Sequence, residues 1–196
     1  MRRLLLVTGL LLAGCTTPEA GSPTPGEQPT EPPTTTTTIT TTTTIAETQE
    51  RPRDLEMAGL DICGLVGSLP LATFGLDQDR PPTGGTSTSF PGSQDCFANG
   101  VEANLGLTIV AVVDQGAAEY ADGANAEVSE TVVDGFPLYL LKPAAPDSCF
   151  GAVDVADGQM LYVNYGLSSP GSEPVTPQGT LCERVPRIAA AALAEL

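Results

Sequence analysis

The groups that could do chemistry in this 196-residue chain are its five cysteines and its 24 carboxylates. Histidine and tryptophan are absent, and Lys142 is the only lysine. Without histidine the chain cannot form a Ser-His-Asp or Cys-His catalytic set, nor a histidine-bound zinc site. The sequence therefore predicts no catalytic residue, no metal site and no cofactor. A pair of carboxylates facing each other in a cleft is the remaining route to hydrolysis.

Cys15 differs from the other cysteines because it closes an apolar N-terminal segment. Arg2 and Arg3 are followed by a short apolar run and two small residues before the thiol. This order is typical of a bacterial lipobox, in which the signal is removed and the cysteine is acylated, for example with palmitate. We therefore expect residues 1–15 to be a lipoprotein signal ending at a lipidated Cys15. An ordinary secretory signal with an incidental cysteine is the alternative.

A lipid anchor would fix the location of the protein. The apolar run is too short to span a bilayer, whereas two or more acyl chains, at about 0.8 kcal/mol per buried methylene, anchor a protein stably. The expected location is the extracytoplasmic face of the cell membrane, with the bilayer as a partner through acylated Cys15. Retention of a Cys15→Ala variant in membranes would contradict this expectation.

Composition divides the remainder into two parts. Residues 16–53 are rich in Thr, Pro and Glu, with a threonine tract at residues 34–44, and have almost nothing to bury. We expect this segment to be a disordered or partly polyproline-like tether, reaching about 35 Å as a coil. Residues 54–196 are long enough for one domain with its own core.

The mature chain is strongly acidic. Removal of residues 1–15 takes away Arg2 and Arg3 and no acidic residue, which leaves 6 basic against 24 acidic side chains and a net charge of −18. Such a surface repels nucleic acid and anionic lipid, so the sequence predicts neither as a partner of the domain.

The other four cysteines are even in number, as expected of an exported domain with two disulfides. Three pairings are compatible with the sequence. Cys63 and Cys96 are 33 positions apart, and so are Cys149 and Cys182. Each pair would join a predicted helix to the start of a strand pair, so we predict Cys63–Cys96 and Cys149–Cys182.

Periodicity gives the elements around these cysteines. Asp61 is a suitable cap for a short helix, and helical spacing from Thr176-Pro177 to Leu196 predicts a C-terminal helix with one apolar stripe. Pro186 should kink that helix. Residues 77–94 resemble a loop, and a short helix is predicted within residues 117–126.

Alternation and turn dipeptides predict the strands, at residues 101–105, 107–113, 128–133, 136–141, 153–155 and 160–165. Asp134-Gly135 and Asp157-Gly158 are hairpin dipeptides. Pro137 places its strand at an edge or a bulge. The strand aromatics, Phe97 among them, are expected to pack in the core. The fold class is therefore α+β, an antiparallel sheet of about five or six strands with the N- and C-terminal helices on one face.

These motifs resemble actinobacterial lipoproteins that carry an uncharacterised, four-cysteine secreted domain. The resemblance lies in Asp61-Ile62-Cys63, in Cys96-Phe97, in the Val-x-Gly-x-Pro step ending at Pro137, in Cys149 before alternating valines, and in Cys182 within the last helix. One departure is Phe97, which stands where this family is expected to have a tryptophan nearby. The resemblance implies an envelope location and an α/β sandwich of the PsbP type, and it implies no activity.

Three functions follow as hypotheses. The first is a non-enzymatic binding or adaptor module of the cell envelope whose partner is another envelope protein. The second is a carrier of an apolar small molecule or lipid in a cavity between sheet and helix. The third is a carboxylate-based hydrolase of wall polymers.

Overall fold

A seven-stranded antiparallel sheet organises the fold. The protein is represented by a computed structural model that describes residues 50–196. The strand order is β1-β2-β3-β7-β6-β5-β4. The strands are β1 (Thr83–Thr86), β2 (Gln94–Gly100), β3 (Leu105–Val112), β4 (Ala126–Val133), β5 (Phe136–Pro143), β6 (Ser148–Ala156) and β7 (Gln159–Leu167). The helices are α1 (Ile62–Ser68), α2 (Ala117–Asp122) and α3 (Gln178–Leu193), with a 3₁₀ turn at Leu71–Phe74.

The larger core lies on the sheet face covered by α1, the 3₁₀ turn and α3. The predicted stripe of α3 is buried along its whole length, and the helix continues through Pro186. Gly151 of β6 permits this packing, since a Cβ there would lie 2.6 Å from Cγ1 of Val185. Asp61 caps α1 as predicted, because its carboxylate accepts a hydrogen bond from the Gly64 amide at 2.9 Å.

A smaller core lies on the opposite face, under α2 and the loop that carries Phe90. Phe90, Tyr120 and Tyr162 pack with ring centroids 5.0–5.5 Å apart. The α+β class and the placement of the terminal helices on one face are confirmed. The sheet has seven strands rather than five or six, and α2 covers part of the second face.

Both predicted disulfides are present. Cys63 in α1 is bonded to Cys96 in β2, and Cys149 in β6 is bonded to Cys182 in α3. Gly84 in β1 lies against the first bridge, because a Cβ at that position would be 2.7 Å from the Cys63 sulfur. Each bridge fastens a helix of the larger core to a strand of the sheet.

Several predictions for the N-terminal half of the sheet are wrong. Residues 101–104 form a turn rather than a strand, and β2 lies earlier, at Gln94–Gly100. The predicted loop at residues 77–94 contains β1, a fully exposed edge strand of sequence Thr-Gly-Gly-Thr. The prediction that Phe97 packs in the core is also wrong, since its side chain is 41% exposed.

The strand that carries Pro137 is an interior strand, contrary to prediction. β4 forms the edge, and β5 lies between β4 and β6. The ladder between β5 and β6 begins only at Leu138, so Pro137 is not required to donate to it. The Asp134-Gly135 and Asp157-Gly158 hairpins are present as predicted.

Residues before position 54 contact the domain. Arg51, placed in the tether by composition, forms ion pairs with Asp154 at 2.9 Å and Asp157 at 2.7 Å. Pro52 lies against Gly135. The signal, Cys15 and the tether up to residue 49 lie outside the described residues.

Candidate functional site

An open trough crosses four interior strands on the face that α2 covers only in part. One row of paired residues runs from Phe97 on β2 to Thr108 on β3, Asn164 on β7 and Phe150 on β6. All four side chains point to the same face, because paired residues across a ladder share a face. Three strand spacings of about 4.8 Å separate the two phenylalanines by roughly 14 Å. The row therefore places two polar side chains between two aromatic ones.

The floor of the trough is formed by the next row on the same face, which has very small side chains. Gly106 on β3 pairs with Gly166 on β7, which pairs with Ser148 on β6. A Cβ at Gly166 would lie 2.5 Å from the carbonyl oxygen of Asp147, so close backbone approach requires glycine there. A Cβ at Gly106 would lie 3.0 Å from Cε2 of Phe97, which shows that the aromatic ring leans over this glycine.

The rim of the trough is polar. The Ser168 hydroxyl donates to Oδ1 of Asn99 at 2.9 Å, and the Ser148 hydroxyl donates to the Asp147 carboxylate at 3.2 Å. The trough has a volume of about 290 Å³ and opens to solvent. Among residues 50–196, Asp147 is the only ionisable residue that lines it.

Asn104 fixes the loop that supplies Ser168. Its φ of 52° is left-handed, a conformation that asparagine tolerates better than most residues. The side-chain amide donates to the carbonyls of Ser169 (3.2 Å), Ser172 (2.9 Å) and Pro174 (3.3 Å), and it accepts from the Ser169 amide at 2.9 Å. The buried Asn104 side chain therefore holds the exposed loop after β7 against the end of the trough.

A second polar cluster surrounds Arg51. Its guanidinium contacts the carboxylates of Asp54, Asp154 and Asp157. The hydrogen bond to Asp157, opposed in part by burial and supported by the other two carboxylates, raises the pKa of Arg51 above its ordinary value. Asp157 and Gly158 form the turn of the β6–β7 hairpin, as predicted. The cluster joins the N-terminal segment to the β6–β7 hairpin and is structural.

A third polar contact lies inside the larger core. The Tyr165 hydroxyl donates to the Phe74 carbonyl and accepts from Nη1 of Arg184 at 2.6 Å. Burial raises the pKa of Tyr165, and the guanidinium of Arg184 offsets part of that rise. Nη1 of Arg184 also donates to the Phe74 carbonyl at 3.3 Å, so the three groups form one closed hydrogen-bonded set between α3, the 3₁₀ turn and β7.

The residues named from the sequence do not form a reactive site. The four disulfide cysteines belong to the larger core, on the side of the sheet opposite the trough. Within residues 50–196, no three His, Cys, Asp or Glu side chains come together as metal ligands would. Lys142 is half exposed and lies 3.9 Å from Glu127, as expected of a surface lysine. No helix in the same range is long and apolar enough to cross a membrane.

Comparison with known families adds one decisive finding. The profile of DUF3558, described as a protein of unknown function, matches residues 10–195. The chain belongs to the DUF3558 family. No curated protein and no solved structure matches it. The match agrees with the expectation of an uncharacterised domain, and it extends along the whole domain of this DUF3558 protein.

The trough was not visible in the sequence as a site. The pair Cys96-Phe97 carried one signal, since alternation that buries the cysteine must turn the phenylalanine outward. Gly106 and Gly166 carried a second signal, because glycine within a strand often marks a close approach. Their pairing across β3 and β7 depends on strand order, which the local pattern does not contain.

Proposed function

We propose that this DUF3558 protein is a lipid-anchored, extracytoplasmic, non-enzymatic binding module of the cell envelope, and that it binds through the trough. The observation that carries the proposal is Phe97, an aromatic side chain 41% exposed above a row of small residues. Exposed aromatic side chains grouped with unpaired polar groups are typical of binding surfaces.

The anchor rests on sequence. The N-terminal arginines, the apolar run and the small residues before Cys15 agree with a lipobox, and the family match begins at residue 10, five positions before Cys15. Labelling with a clickable palmitate analogue should mark the wild-type protein and not Cys15→Ala. The variant should also leave the detergent phase on phase separation, and labelled variant protein would contradict the anchor.

The binding role is favoured over the two other hypotheses. The trough is open and mixed in polarity, which suits recognition at a surface better than enclosure of a lipid. A hydrolase would need two facing carboxylates, whereas in the described part of the chain Asp147 supplies the single carboxylate at the trough.

Site-specific photocross-linking in living cells tests the binding role. A benzoylphenylalanine at position 97 should give an adduct with an envelope component. The matched control is position 132, where Val132 is 40% exposed on the same sheet face but on the edge strand β4. Equal labelling from both positions would contradict the trough as the binding surface.

A further inference from the structure

We infer that the trough binds an uncharged saccharide of one or two rings, with the sugar lying on Phe97 and its hydroxyls facing Thr108 and Asn164. This inference rests on the proposed binding function and names its ligand class. It follows from four properties of the trough: an aromatic platform, unpaired polar groups, the local charge and the accessible space.

The aromatic platform suits the C–H face of a sugar ring. The face of a phenyl ring is electron-rich, and the axial C–H groups of a pyranose carry partial positive charge. The Phe97 ring lies over Gly106, where the missing side chain leaves room for it. An exposed ring already seated in this way loses little freedom when a ligand packs on it.

The polar groups beside it suit hydroxyls. Within the part of the chain that the structure describes, the Thr108 hydroxyl and the Asn164 amide make no side-chain hydrogen bond, although both are only partly exposed. A hydroxyl and a carboxamide each offer both a donor and an acceptor, as does every sugar hydroxyl. The two side chains are directly paired across β3 and β7, so one ring can reach both.

The charge of the trough disfavours ionic ligands. Asp147 places one negative charge at the rim, and the chain carries 24 acidic residues against 8 basic ones. Phosphorylated or carboxylated ligands would be repelled at close range. A single carboxylate accepts hydrogen bonds from sugar hydroxyls without any charge on the ligand.

The strand order excludes an extended peptide as an added strand here. β2, β3, β7 and β6 each have neighbours on both sides, so the trough offers no free backbone edge.

The size of the trough limits the ligand. A volume of about 290 Å³ is at the lower limit of the roughly 300–1,000 Å³ found for ligand pockets. The space therefore suits one or two sugar rings.

Nuclear magnetic resonance titration of the ¹⁵N-labelled full-length protein tests this inference, in a zwitterionic detergent that has no sugar headgroup. The probes are trehalose, maltose, cellobiose and N,N′-diacetylchitobiose, with glucuronic acid as a charged comparison. We expect saturable shifts at the amides of Gly106, Thr108 and Asn164 with at least one disaccharide, and weaker binding of glucuronic acid.

Variants locate the binding. Phe97→Ala should weaken it about tenfold or more, and Thr108→Val, which keeps the shape but removes the hydroxyl, about three- to tenfold. Val132→Ala, equally exposed on β4, should have no effect. The absence of saturable shifts with all four disaccharides, or equal losses in Phe97→Ala and Val132→Ala, would overturn the inference.

The two proposals can fail separately. If position 97 cross-links to an envelope component in cells but no disaccharide binds, the trough is a binding surface and the ligand class is wrong. If position 97 cross-links no better than position 132 and no disaccharide binds, both proposals are wrong.

Discussion

Replacing each disulfide by two alanines separates loop entropy from packing in this domain. Both bridges join cysteines 33 positions apart. The loop-closure treatment therefore assigns each the same stabilisation, roughly 4 kcal/mol at 25 °C, because it depends only on loop length. Any difference between the two variants in the free energy of unfolding must come from the surroundings of the sulfur atoms.

The surroundings differ at one position. Cys96, Cys149 and Cys182 are buried, whereas Cys63 is only partly buried. Removing the Cys149–Cys182 bridge leaves two voids in the larger core, and removing the Cys63–Cys96 bridge leaves one. Deleting one buried group of methyl size costs about 1 kcal/mol. We therefore expect a loss of roughly 6 kcal/mol for Cys149→Ala/Cys182→Ala and roughly 5 kcal/mol for Cys63→Ala/Cys96→Ala.

Guanidinium unfolding of the full-length variants measures both losses, with circular dichroism and tyrosine fluorescence as probes, since tryptophan is absent. The free energies must be compared rather than the midpoints, because an uncrosslinked denatured chain exposes more surface and raises the m-value. Equal losses, or a larger loss at Cys63–Cys96, would refute the packing argument. Losses below about 1 kcal/mol in both variants would refute the loop argument.

Three further predictions concern individual side chains of the domain. Burial raises the pKa of both Tyr162 and Tyr165, so the folded state keeps their protons to higher pH than the unfolded state does. The stability this gives is full below about pH 10 and is lost as the pH rises further, and absorbance at 295 nm should show these tyrosines ionising only with unfolding. Asn104→Asp keeps the backbone preference but turns a carboxylate toward three carbonyls, and it should cost about 2–3 kcal/mol in denaturant unfolding, with faster proteolysis of the 168–176 loop. Gly151→Ala should cost about 1–3 kcal/mol through its clash with Val185, and a second change, Val185→Ala, should recover part of that loss in the same assay.

Apart from the position of β5 in the sheet, the C-terminal half of the fold could be predicted from sequence because its signals are local. The Asp-Gly turns determine two hairpins. The apolar residues of α3 recur at the spacing of a helix, which a strand would not produce. Equal spacing of the cysteines predicted the pairing, and each bridge joins one helix to one strand, α1 to β2 and β6 to α3. The tertiary structure agrees with each of these local preferences.

The N-terminal half could not be predicted because its local sequence pattern indicates structure that contacts with distant residues override. Val101, Ala103 and Leu105 alternate as in a strand, but Asn104 takes a left-handed φ and bonds the loop after β7. That turn is stabilised by residues more than sixty positions away. β1 has two glycines and no buried side chain, so only its backbone pairing with β2 makes it a strand.

The sequence repeats one dipeptide, Cys-Phe, and the structure gives this repeat a physical meaning. Successive residues of a strand point to opposite faces, so Cys96 and Cys149 face α1 and α3, while Phe97 and Phe150 face the other side of the sheet. Phe97 lines the trough, and Phe150 packs beside Tyr162 in the smaller core. Each disulfide thus fixes a strand at the residue next to one end of the row that runs from Phe97 to Phe150. The bridges fix β2 and β6, the outer strands of that row, to α1 and α3 on the opposite face. The two disulfides that stabilise this acidic domain therefore also fix the strands that carry Phe97 and Phe150.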